Sequence, residues 1–353
     1  MKKQIWLLMI FLIISFSFIL ALYQIGRPTS YVWVMDAGDM LNETQLVKMC
    51  PTGKRLLQTQ FGQSGGIGID LKRNIIWAPE LNDLDQIHYD QVVQVDAKGR
   101  ILDRFQGYRI TVLAVDPADG SAWVNTWDTD GQRTLMKKLA PNGKPLRRVE
   151  GFSQVYSVAI NPLDSSLWVA DGVNRTLTHL TADGEKLFEM RTAGFFFSNA
   201  AHQIAVDPRN GEVWFTTVDP SALLKLSSEG EELLQISDLH SPVAVTINPM
   251  NGNVWVADYD LLDSGAILKF NPQGGLILTG PLPGHVWTAA INSFDGILWV
   301  GVDGEMIRYA ENGSVAGRET GFHHPQSIAF AKAGNDFPTE IRCTLSYYLD
   351  LLK

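Results

Sequence analysis

Seven tryptophans, Trp33, Trp77, Trp123, Trp168, Trp214, Trp255 and Trp299, recur at intervals of 44, 46, 45, 46, 41 and 44 residues. A period in the forties with strand-like sequence around each repeat is the mark of a β-propeller blade. The clearest copy runs from Val245 to Leu278. It reads Val245-Thr246-Ile247-Asn248-Pro249, a turn at Asn251-Gly252, then Asn253-Val254-Trp255-Val256-Ala257-Asp258. A polar loop follows, then Ala266-Ile267-Leu268-Lys269-Phe270, a second turn, and Leu276-Ile277-Leu278. Each apolar run has strand length and is bounded by Gly, Asn, Asp or Pro. Each unit therefore predicts a four-stranded antiparallel meander.

The two ends of the repeat complement one another. The first unit starts at its tryptophan strand, Tyr31–Asp36, with no inner strand before it. The last recognisable strand, Ser327–Phe330, looks like an inner strand with no tryptophan strand after it. Joining them gives an all-β, seven-bladed propeller of four-stranded blades, closed by the C-terminal strand entering the N-terminal blade, which leaves no open sheet edge between the ends. The propeller is expected over residues 27–331, after an N-terminal hydrophobic helix within 1–26 and before a C-terminal tail, 332–353. One tryptophan per blade at constant depth reads as filling for the wedge between blades rather than as a ligand site.

The N-terminus, Met1-Lys2-Lys3-Gln4, leads into an apolar run from Ile5 to Leu22 broken only by Ser15 and Ser17. That length serves either a membrane anchor or the core of a signal peptide. Ile19 stands where a small residue would be needed to cleave after Ala21, which favours an uncleaved anchor. The lysines hold the N-terminus in the cytoplasm and send the propeller to the extracytoplasmic side, periplasmic or secreted. Only two cysteines occur. Cys50 lies near the end of the third strand of the first blade, and Cys343 lies in the tail after the closing strand. A Cys50–Cys343 disulfide in an oxidising compartment would pin the closure, contributing about 4–5 kcal/mol in the chain-entropy model. Two free thiols are the alternative.

The formal net charge is −9, which disfavours a nucleic-acid partner. The loops between second and third strands, on the face that surrounds the channel mouth, carry Asp36, Asp39, Glu43, Glu80, Asp83, Asp85, Asp90, Asp128, Asp130, Asp171, Asp219, Asp258, Asp260, Asp263 and Asp303. His88 and Arg175 are the basic residues there. Asp is a good turn residue, and it could equally build a negative rim. The connections between blades place His202, His240, His285, His323 and His324 just before inner strands of neighbouring blades. Of these, His240, His285, His323 and His324 are the candidate catalytic residues, and His202, His285, His324, Asp258 and Asp303 the candidate ligands for a divalent metal. Histidines filling polar loop positions without a shared role is the competing reading. No C-x-x-C-H occurs, so there is no covalent c-type haem motif, and no cofactor is evident. Gly62-Gln63-Ser64-Gly65-Gly66 fits a hydrolase pattern but leads into an inner strand rather than a strand-to-helix elbow.

The phrases Ala205-Val206-Asp207-Pro208-Arg209-Asn210-Gly211-Glu212-Val213-Trp214 and Asn253-Val254-Trp255-Val256-Ala257-Asp258 resemble NHL-type propellers and their streptogramin lyase-like and gluconolactonase-like relatives. The resemblance covers most of the chain and is specific for architecture, because this superfold hosts many functions. Two functions are therefore expected side by side. One is a binding or scaffolding module, taking a protein partner or small ligand at the mouth, as a non-catalytic subunit of a larger complex. The haem-free propeller subunit of hydrazine synthase is an example of that architecture. The other, which the lyase resemblance implies, is a metal-assisted lyase or lactonase acting on a small molecule. The absence of a complete catalytic constellation leans towards the first.

Overall fold

A computed structural model describes residues 30–38, 44–61, 65–80, 91–106, 113–127, 134–192, 204–259, 264–333 and Cys343. The N-terminal apolar segment, His88, His202, the loop acids Asp39, Glu43, Asp83, Asp85, Asp90, Asp128, Asp130, Asp260 and Asp263, Ser64, and the tail apart from its first two residues and Cys343 lie outside the described residues.

Among the described residues, 28 strands form seven antiparallel four-stranded sheets arranged as the blades of a propeller. Six blades are continuous in sequence. Blade 1 is composite: its inner strand is His324–Lys332, which pairs with the tryptophan strand Ser30–Ala37. This inner strand is longer than the Ser327–Phe330 segment legible in the sequence, because backbone pairing continues through residues that break the apolar pattern.

Local chemistry explains why each blade turns where it does. In blades 2 to 7, an Asp or Asn ends the inner strand and accepts the backbone N–H two residues on. Asp70 takes Lys72, Asp116 Ala118, Asn161 Leu163, Asp207 Arg209, Asn248 Met250 and Asn292 Phe294, at 2.8–3.1 Å. These are Asx turns, and they account for the recurring Asx-Pro text. Four residues after each Asx, the backbone enters the left-handed region. Gly120, Gly211, Gly252 and Gly296 serve there, with Asn74 and Ser165 in the other two blades.

The same irregularity marks the start of four inner strands. Register shifts skip Tyr156, Val243, Trp287 and Gln326, so each is an extra residue opposite its tryptophan strand. Such β-bulges re-aim side chains next to functional sites. They also hide the strand start from a period-2 reading, so these strands begin earlier than the apolar pattern suggests.

The wedge between blades is built the same way seven times. All seven tryptophans are buried. Directly opposite each on the third strand stands a polar side chain: Lys48, Gln94, Lys138, His179, Lys225, Lys269 and Arg308. Six of these reach across to a backbone carbonyl in the third-to-outer turn of the following blade. Lys48 donates to Ala97 (2.7 Å), Gln94 to Pro141 (2.6 Å), Lys138 to Ala182 (3.0 Å), Lys225 to Pro272 (3.0 Å), Lys269 to Glu311 (2.6 Å) and Arg308 to Pro51 (3.1 Å). Five carry their charge over the indole ring at 5.1–5.9 Å, a cation–π arrangement. His179 departs from the series. It stacks flat on Trp168 at 4.1 Å, and its Nε2 is buried without a hydrogen-bond partner.

Cys50 and Cys343 form a disulfide across 293 residues of chain, with Cα atoms 5.5 Å apart. It sits beside the Pro51 carbonyl that receives Arg308, so covalent and polar ties converge on one turn of blade 1.

Lys138→Met keeps the aliphatic stem but leaves the Ala182 carbonyl unpaired in the wedge. It is expected to lower stability by about 1–3 kcal/mol in chemical denaturation. Burial holds the His179 imidazole below its ordinary 6.5. The unfolded chain therefore takes up this proton first as the pH falls. Stability from this group is expected to be constant above about pH 6.5, to fall as the pH drops from there towards the folded-state value, and to level off below it. His179→Gln is expected to remove that step from the pH dependence of the thermal midpoint.

Candidate functional site at the channel mouth

Three of the described rim carboxylates cap the connection between blades. Asp36, Asp171 and Asp258 each lie three residues after their tryptophan and are buried. Asp171 accepts the backbone N–H groups of Ser153 (2.6 Å), Gln154 (3.2 Å) and Asn174 (3.0 Å), and the Asn174 side-chain amide (2.9 Å). Asp258 accepts the N–H of His240 (3.0 Å) and of Ser241 (2.8 Å). Asp36 accepts the N–H of His323 at 2.9 Å. In all three blades the carboxylate ties the connection from the previous blade to the blade it enters. These are charge-assisted bonds of the stronger kind. Burial pushes the Asp36 carboxyl above its ordinary value, against the backbone bond and nearby charge of His323. Glu80 occupies the same position in blade 2 and binds Gln91 (2.6 Å) and Arg104 (3.0 Å) within its own sheet. Asp219 and Arg175 are exposed turn residues.

The four described histidines at the mouth divide into two pairs. His240 and His323 accompany the capping carboxylates. His240 Nδ1 is 3.2 Å from Asp258 and His323 Nδ1 is 3.7 Å from Asp36, with their side chains 68% and 44% exposed. His285 and His324 instead meet at one ring. Trp287, the bulged residue of the blade 7 inner strand, has its ring centre 4.8 Å from His285 and 4.6 Å from His324. Tyr259 packs edge-on to His285 at 5.4 Å. The Trp287 indole N–H donates to the exposed carboxylate of Asp303 at 2.5 Å. Blades 6, 7 and 1 thus contribute one half-buried aromatic strip: Tyr259, His285, Trp287 and His324. His285 Nδ1 is buried within it and lacks a hydrogen-bond partner.

Of the candidate metal ligands, His285, His324 and Asp303 gather around the Trp287 ring, whereas Asp258 is engaged with the His240–Ser241 backbone. Among the described residues no three His, Cys, Asp or Glu side chains come together in a way that could hold a metal ion. The strip offers ring faces for stacking and imidazole nitrogens for hydrogen bonds. Trp287 itself was not singled out by the sequence. It falls outside the period of the seven wedge tryptophans, and that departure was the available signal.

Within the ring of blades lies a cavity of about 390 Å³ lined by the inner strands of all seven. Its walls are mainly apolar, with Ile69, Val115, Ile160, Ile291 and Phe330 among them, and Thr246 and Ser293 supply hydroxyls. Acid–base groups are thus concentrated at the mouth and not in the channel wall.

No family model matches the chain, and no curated protein does. Among solved structures, a functionally unknown protein from Desulfotomaculum acetoxidans DSM 771 superposes with a TM-score of 0.69 at 13% identity, covering 87% of this chain and 100% of the other. A protein from Bacteroides uniformis ATCC 8492, provisionally named a 6-phosphogluconolactonase, gives a TM-score of 0.65 at 12% identity, covering 86% and 99%. At these identities the likeness is one of fold: a seven-bladed propeller of four-stranded blades.

Asp171→Ala leaves three part-buried backbone N–H groups without their acceptor. It is expected to cost about 2–4 kcal/mol in denaturant unfolding, whereas Asp303→Ala, at an exposed carboxylate, is expected to cost about 1 kcal/mol or less.

Proposed function

We propose that the chain is an extracytoplasmic binding propeller, carried out of the cytoplasm by its N-terminal apolar segment. It recognises a protein partner or a small ligand on the Tyr259–His285–Trp287–His324 strip and acts as a non-catalytic subunit of a larger complex. The carrying observation is the division of labour at the mouth. The described carboxylates best placed for acid–base chemistry are buried in backbone caps, and the residues presented to solvent form an aromatic surface. Part-exposed Trp and Tyr rings such as these anchor interfaces, because they offer large contact area at low entropic cost. The NHL-type text of the repeat accords with this reading.

The test is the native mass and metal content of the full chain released gently from its own host, for the native sequence and for Trp287→Ala. A defined assembly that weakens by about 10- to 100-fold in Trp287→Ala, with an unchanged circular dichroism spectrum, supports the binding role. A monomer carrying a divalent metal, with metal and lactone- or lyase-type turnover lost together in His285→Ala, would replace it with the metal-assisted reading.

A further inference from the structure

A second surface lies on the outer strands of the blades. Between blades 2 and 3 there is an open groove of about 620 Å³, lined by Phe105 of blade 2 and by Lys137, Leu139, Leu146 and Arg148 of blade 3. Among the described residues no carboxylate lines it, although the whole chain carries a net charge of −9. Arg104 and Arg147 also border the groove, but their charges are engaged, with Glu80 at 3.0 Å and Asp183 at 3.1 Å.

Lys137 is an exception within the repeat. It immediately precedes the residue paired with the blade tryptophan. The other six blades carry Val47, Val93, Thr178, Leu224, Leu268 and Ile307 at that position, all uncharged. Blade 3 alone places an ammonium group where the wedge elsewhere takes an aliphatic or hydroxyl side chain. Directly across the strand pair stands Arg148, so two like charges share one face of the sheet, an arrangement that destabilises a sheet by itself. Arg148 has Glu150 at 3.0 Å as a partial counter-charge. Lys137 has no ion pair among the described residues, and burial together with the Arg148 charge pushes it below its ordinary value. A half-buried cation beside another cation, in a groove of the size that holds small molecules, lacks an anion.

We propose that this groove binds a small organic anion, a carboxylate or phosphate carried on an apolar body. Lys137 and Arg148 hold the anionic group, and Phe105, Leu139 and Leu146 cover the rest. The site is independent of the aromatic strip at the mouth.

Calorimetric titration of the full chain tests it with three probes: hexanoate, which has both charge and apolar body, hexanol, which lacks the charge, and inorganic phosphate, which lacks the body. Hexanoate is expected to bind saturably, more tightly than either other probe, and more weakly as salt is added. Lys137→Val and Arg148→Gln are each expected to weaken it by about tenfold or more, the loss of one charge-assisted contact. Without ligand, Lys137→Val restores the residue used in blades 1 and 2 and is expected to raise the thermal midpoint. Three outcomes would overturn the site: no saturable hexanoate binding, binding that survives Lys137→Val, or phosphate binding as tightly as hexanoate. A ligand-free Lys137→Val that melts below the native chain would also overturn it, because the lysine would then be a structural residue.

Discussion

The propeller is held together by one contact made again and again: a long polar side chain that lies over its own blade's tryptophan and donates to the next blade's turn. A sheet packed face-on to another sheet has apolar attraction but little to fix its angle or depth. The tryptophan supplies the volume that fills the tapering wedge. The lysine, arginine or glutamine opposite it supplies direction, because the acceptor carbonyl stands at one place on the neighbouring turn. Most of these indole N–H groups are buried without a hydrogen-bond partner, so the ring is retained for its size and its π face, not for its polar atom. Burying an ammonium group would ordinarily be costly. Here each reaches a carbonyl at the turn, and Lys225 and Lys269 add carboxylates, Glu212 at 2.7 Å and Glu311 at 2.5 Å.

A ring built from neighbour contacts fails at its seam unless the seam matches every other joint. This chain adds ties at the seam beyond the repeated wedge contact. The last strand completes the first sheet, so blade 1 cannot form until both ends of the propeller have met. Arg308 then joins blade 7 to Pro51 and also binds Glu319 at 3.0 Å, while Cys50, one residue away from Pro51, is bonded to Cys343. Hydrogen-bonded sheet, polar contact and covalent bond converge on the turn where an open ring would otherwise part.

The tryptophan period, the Asx-Pro turns and the mismatched ends were enough to read seven blades, four strands each and the composite closure from the sequence. All three are local or strictly periodic signals, and the turn chemistry that writes them does not depend on distant residues. The wedge contacts were not legible. Lys48, Gln94, Lys138, His179, Lys225, Lys269 and Arg308 follow their tryptophans by 15, 17, 15, 11, 11, 14 and 9 residues, because the intervening loops differ in length. Strand pairing aligns them exactly opposite the indoles, but no fixed spacing records it. The same limit applies at the mouth. Aspartates before loops read as a uniform acidic rim, yet Asp171 and Asp258 face inward onto backbone amides while Asp303, one residue further from its tryptophan and just past the strand end, faces solvent. Side-chain direction at a strand end turns on one residue of register, which composition cannot resolve.

Repetition also separates structure from function within this one molecule. What is constant across blades, the buried indole, the crossing side chain and the Asx turn, is explained by the demands of packing. What departs from the repeat lacks that explanation. Trp287, like Trp6 and Trp127, stands outside the period of the seven wedge tryptophans, and it gathers two imidazoles and a carboxylate. Lys137 is a charge at a position that is otherwise uncharged, and His179 is an imidazole in a series of lysine, glutamine and arginine side chains. A departure that costs stability persists only where something offsets it, by a neighbour, a ligand or a change of conditions. For His179 the neighbour is visible, a stacked Trp168 with no partner for Nε2. For Trp287 the neighbours are His285, His324 and the carboxylate of Asp303, whereas for Lys137 the described residues supply no ion pair, and that is the departure the proposed anion would offset.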